Sequence, residues 1–248
     1  MKPDPPRKAF RAGILVSAFV TAVPVAWALA MAASGLAAPQ STPHTPGLVD
    51  QVRALEKATI HGDLDSARQA ATWLAEHATP APLPAGTQPL VDRLVKAAST
   101  LSQATDVAGA VTATASLVAA CGSCHEAANT SPAFPRAAPP ALGSIAGHMV
   151  RHQDAADRLL EGLIVPSQAA WTAGAGQLRE APLKAGDFPV STRIGALMSD
   201  IESRMHAQAD EAAAATDTAG RTRAYGALLA RCAECHTRHT TLWDPPVR

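Results

Sequence analysis

The chain has 248 residues with 21 basic and 21 acidic side chains, and this formal neutrality excludes the strongly basic character of a nucleic-acid binder. Aromatic residues make up only 4% of an alanine-rich sequence that holds a single tyrosine, so strands built from aromatic and β-branched residues are not expected. The expectation is an all-α protein.

The N-terminus reads as a targeting segment. Lys2, Arg7, Lys8 and Arg11 form a basic stretch, and an uncharged apolar run follows from Ala12 to Ala38, interrupted by Pro24. Residues 1–38 are therefore expected to be either a signal peptide, cleaved after Ala30 or Ala37, or an uncleaved inner-membrane anchor, since the run approaches a membrane-spanning length. Either way, the chain from about Pro39 is expected on the exported, periplasmic side.

Four helical stretches follow, at about Leu48 to His61, Asp63 to His77, Pro89 to Gln103 and Asp106 to Cys124. Gly62-Asp63 supplies a break and an N-cap, and prolines between Pro80 and Pro84 punctuate the middle. The fourth stretch ends in Cys121-Gly122-Ser123-Cys124-His125. Residues 129–142, with Pro132, Pro135, Pro139 and Pro140, read as a semi-rigid linker. Four more stretches are expected at about Ile145 to Leu163, Ser167 to Ala181, Thr192 to Ala213 and Thr218 to His236, the last ending in Cys232-Ala233-Glu234-Cys235-His236.

The two halves look like a duplication. TDVAGAVTATASLVAACGSCH from Thr105 and TDTAGRTRAYGALLARCAECH from Thr216 share Thr-Asp, Ala-Gly, a leucine and alanines at matching distances from their cysteines. Asp106 and Asp217 stand where a side chain can cap the helix that follows. The expected organisation is a four-helix bundle over 39–128, the linker over 129–142, and a second four-helix bundle over 143–248, each up-down-up-down and each carrying its motif at the C-terminal end.

The two C-x-x-C-H motifs use all four cysteines. This is the attachment signature of c-type haem, in which two thiols about a helical turn apart bond the porphyrin and the adjacent imidazole becomes an axial iron ligand. Cys121, Cys124 and His125, and Cys232, Cys235 and His236, are accordingly the expected attachment and proximal residues of two covalently bound haems c. A thioredoxin-like dithiol would want a βαβ context, and zinc ribbons place their second pair within roughly 15–20 residues of the first. Here more than a hundred residues intervene.

Only 12 residues follow His236, too few to wrap a haem, so the second haem is expected to be enclosed by residues upstream of its motif, and by the repeat the first as well. Three helices followed by a fourth ending in C-x-x-C-H resemble class II cytochromes of the cytochrome c′ and c-556 type. The resemblance implies that the sixth ligand comes from near the start of the first helix of each bundle, and there a local alignment places His44 opposite His148. Met149, which would resemble the c-556 type, and His152, one turn beyond His148, are the alternatives in the second half. The family's aromatic and arginine after the motif are missing from the first half, where Glu126-Ala127-Ala128 follows. The second has Thr237-Arg238-His239, whose Arg238 is a candidate partner for a haem propionate.

These features point to an exported dihaem electron carrier that meets redox-partner proteins in the periplasm or at the membrane, with no catalytic residues of its own. The family resemblance also admits a homodimer. The rival readings are a sensor or scavenger of NO or CO with one open haem site, and a dihaem peroxidase, although known dihaem peroxidases resemble class I domains. Trp73 and Trp171 read as packing residues, and Arg151, Asp154, Asp157 and Arg158 as a solvated helix face.

Overall fold

The structure is a computed structural model that describes residues 47–78, 85–136, 145–180, 182–188 and 191–243. The targeting segment 1–38, His44 and part of the linker, 137–142, lie outside the described residues. Among the described residues the regular elements are eight α-helices and one 3-10 turn at Ala185–Asp187, so the protein is all-α.

The first half runs α1 (Leu48–His61), α2 (Leu64–His77), α3 (Gln88–Ser102) and α4 (Val107–Ala127). The second runs α5 (Ile145–Ile164), α6 (Gln168–Leu178), α7 (Thr192–Ala214) and α8 (Thr218–Trp243). Local chemistry sets these boundaries. Gly62 closes α1 at φ 68°, a left-handed conformation that glycine adopts without Cβ strain, and Asp63 then caps α2 by accepting from Ser66 N at 3.0 Å. Ser167 caps α6 in the same way from Ala170 N, at 3.2 Å. The repeat signature Thr-Asp-x-Ala-Gly is itself a cap: Asp106 Oδ1 accepts from Gly109 N at 2.7 Å and Asp217 Oδ1 from Gly220 N at 2.6 Å. One departure is α8, which continues beyond His236 to Trp243.

Within each half, successive helices pack on one another. The halves are also joined: α4 lies against α8 and α5, and α1 against α8. One continuous core results, holding Leu55, Leu74, Leu101 and Leu117 from the first half with Leu159, Leu160, Trp171 and Leu229 from the second. Because α4 has neighbours on several sides, it is apolar all round, and by length and composition it could cross a membrane. Its Val111, Leu117 and Val118 are buried in this core. Trp171 is fully buried and donates its Nε1–H to Ala212 O at 2.8 Å.

The start of the linker is held down. Arg53 lies over the Phe134 ring, 4.5 Å from its centroid, and donates to Pro135 O, while Arg136 Nε pairs with Glu161 Oε2 at 3.1 Å. The stretch expected as a solvated face is half-buried instead: Arg158 pairs with Asp154 at 2.9 Å, and Asp157 faces the interior beside Glu56.

Candidate haem sites and a histidine cluster

The two motifs occupy the last turns of α4 and the C-terminal part of α8. All four cysteines are partly exposed free thiols. Burial pushes the thiols of Cys121 and Cys232 up to about 12 and that of Cys235 up to about 11, and it raises Cys124 as well. Protonated thiols are poor dithiol nucleophiles. Among the described residues no cysteine belongs to a cluster able to hold a metal ion, so the four thiols do not converge on a shared metal site.

At the α4 motif, His125 Nδ1–H donates to the Ile164 carbonyl at 2.7 Å, at the end of α5. That bond orients the ring and leaves the lone pair on Nε2, the arrangement an axial iron ligand requires. The approach of α4 to α5 is close because residue 122 is glycine: a Cβ there would stand 2.0 Å from Leu163 O. The enclosed space against Gly122 and Ser123 is only about 10 Å³. His44, the expected sixth ligand of this site, lies outside the described residues.

The α8 motif is different. Cys232, Cys235 and His236 line a cavity of about 260 Å³ together with Met149 and His152 of α5, Ile201, Glu202 and Met205 of α7, and His61 of α1. The start of α5 and the end of α8 thus meet, as the order of helices leads one to expect. Burial pushes the His236 imidazole down to about 4, with His61 and His239 adding to the effect, so the ring is neutral and competent to bind iron. The His61 ring stands edge-on to His236, with centroids 4.5 Å apart. Arg238 pairs with Glu234 Oε1 at 3.3 Å.

The residues around the α8 motif fit a covalently held haem, whereas at the α4 motif the thiols and the oriented His125 are in place beside an enclosed space of only about 10 Å³. The spacing and placement of the thiols, the oriented His125, the neutral His236 and the mostly apolar cavity beside Cys232 and Cys235 are all what such a group needs.

His148 is not among the residues lining this cavity. It is buried, with its Nε2 hydrogen-bonded to Glu202 Oε1. The same oxygen accepts from His206 Nε2 at 3.1 Å and lies 3.7 Å from His152 Nε2. Burial would raise the Glu202 carboxyl, but the bonds from His148 and His206 outweigh it and hold the group far below the usual carboxylate range. Burial also pushes His152 down to about 3, against the pull of Glu202. Neither His61 nor the grouping of His206 and Glu202 with His148 was foreseen. The available signal was two pairs at i, i+4 spacing, His148/His152 and Glu202/His206, which place two ligand-type side chains on one face of each helix.

Searches against protein-family models, curated protein sequences and solved structures find no match to this chain.

Proposed function

We propose that the protein is an exported dihaem c-type cytochrome, two haem-bearing four-helix bundles in tandem, that transfers electrons between redox partners. The observation that carries the reading is the cavity at which both thiols and the histidine of the α8 motif meet Met149 from the start of α5. When bound, haem supplies reversible one-electron chemistry at iron.

The chain's own residues have distinct parts in this reading. Cys121 and Cys124 hold one macrocycle and Cys232 and Cys235 the other, while His125 and His236 are the proximal ligands. Ile164 O fixes the His125 ring. In the second site Met149 takes the place that the alignment of the two halves gave to His148, because Met149 borders the cavity and His148 is engaged with Glu202. His44 is the proposed sixth ligand of the first site. With both positions filled on each iron, reorganisation during transfer is small and small ligands are kept off.

The test is the visible spectrum of the exported protein, oxidised, reduced with dithionite and then exposed to CO. Sharp low-spin bands indifferent to CO are expected. A high-spin component shifted by CO would move the function to binding of a small ligand.

A further inference from the structure

Between the haem cavity and the interior of the second half lies a group of side chains that electron transfer does not use. His148 and His152 project from α5, Glu202 and His206 from α7, and their ligand atoms all fall within 4.8 Å of one another. His148, Glu202 and His206 are buried, with 4%, 4% and 8% exposure. His152 Nε2 is buried without a hydrogen bond, 3.7 Å from the Glu202 carboxylate oxygen, an arrangement that costs stability unless something else occupies it. A single carboxylate oxygen is being asked to serve three imidazoles. Ordinary core packing gives no reason to gather three histidines on one acid.

We propose that His148, His152, His206 and Glu202 bind a divalent first-row transition metal, separate from the haem irons. Three imidazole nitrogens and one carboxylate oxygen form a borderline donor set suited to zinc or iron(II), not to calcium or magnesium. Four-coordinate zinc at its usual bond lengths spaces its ligand atoms about 3.3 Å apart, so the groups, now within 4.8 Å of one another, would draw in by up to about 1.5 Å while the close His148–Glu202 pair opens. The link already present between Glu202 Oε1 and His206 Nε2, at 3.1 Å, lies near that zinc spacing. Four protein ligands close the coordination sphere, which makes the site a structural one. It ties α5 to α7 and fixes His152 and Glu202, both of which also wall the haem cavity. Arg151 stands beside the group, with Nη2 3.5 Å from His148 Nδ1, while Lys57 and Arg231 line the cavity that His152 and Glu202 also wall. Arg151 is half-buried near the surface and also pairs with Glu180 at 3.2 Å, so it can turn away when the ring changes tautomer.

The test uses the full exported chain with its haems attached, stripped with EDTA and dialysed against zinc(II), with bound metal counted by mass spectrometry. One zinc per chain is expected in addition to haem iron, and its binding is expected to weaken by about 100-fold or more in Glu202→Gln and in His206→Ala. His77→Ala, at an exposed histidine on α2, should bind as the parent does. The unsubstituted protein decides the matter even where a variant folds poorly: no zinc retained above the level of His206→Ala overturns the proposal. His152→Ala separates this metal from the haem. Loss of zinc with an unchanged spin state supports the site, whereas conversion of a haem to high spin would assign His152 to the haem iron and overturn it.

Discussion

The Tyr225 hydroxyl of α8 donates to Glu56 Oε1 of α1 at 2.6 Å, across 169 residues of sequence, and both side chains are fully buried. The bond crosses from one half of the duplicated chain to the other, a few residues from Cys232. Burial, and then the neighbouring Asp157 on α5, raise the Glu56 carboxyl well above its ordinary value of 4.5, against the opposing effects of Tyr225 and Arg53.

A raised carboxyl in the folded state holds its proton where the unfolded chain has lost it. Its contribution to stability is complete below about pH 4.5 and declines as the pH rises toward the folded value. Urea unfolding should therefore show Glu56→Gln losing less stability than the parent between pH 5 and 8. Tyr225→Phe leaves a buried acceptor unpaired and should cost about 1–3 kcal/mol. Equal pH slopes for Glu56→Gln and the parent would show that Glu56 titrates normally.

Gly122 and Ala233 occupy the same place in the two motifs, and Gly122 is pressed against a backbone carbonyl, that of Leu163. Gly122→Ala should destabilise the fold by about 1–3 kcal/mol and misplace His125 from Ile164, lowering haem attachment at the α4 motif. Ala233→Gly, by contrast, should cost about 1–2 kcal/mol, the usual penalty of glycine inside a helix plus the loss of a buried methyl, without disturbing attachment. Thermal melts and a haem count for each variant would check both.

The matched caps make a third expectation. Asp106→Ala and Asp217→Ala each remove the acceptor for a first-turn N–H, and each should cost about 1 kcal/mol. Because the two sites lie on separate helix starts, the double variant should show the sum. The check is a double-mutant cycle by urea denaturation.

Met149 borders the α8 cavity and is the proposed sixth ligand there. Met149→Ala should turn one of the two haems high-spin and able to bind CO, leaving the other unchanged. Met149→His should restore a low-spin haem at a lower reduction potential, since methionine ligation raises potential relative to histidine. A spectrum unaffected by Met149→Ala would show that another residue fills the position.

The helices were legible because their ends carry local signals. Asp63, Asp106 and Ser167 are caps readable from one or two neighbours, and Gly62 marks a stop. The motifs were legible because their spacing is itself chemical. What periodicity does not carry is which helix faces meet. His61 reaches the α8 cavity only because α1 packs on α8, and Glu202 reaches His148 only across 54 residues of intervening chain. The shared core has the same origin: the composition marks α4 as apolar, and its contact with α8 belongs to tertiary packing.

The central claim is that each motif carries a haem. The most direct measurement is the number of haems that stay bound to the denatured chain after export in a host that matures c-type cytochromes, read by intact mass and by the spectrum in alkaline pyridine. Two per chain are expected, falling to one in the variant carrying both Cys232→Ser and Cys235→Ser. A well-folded exported chain with no covalently bound haem would contradict the account.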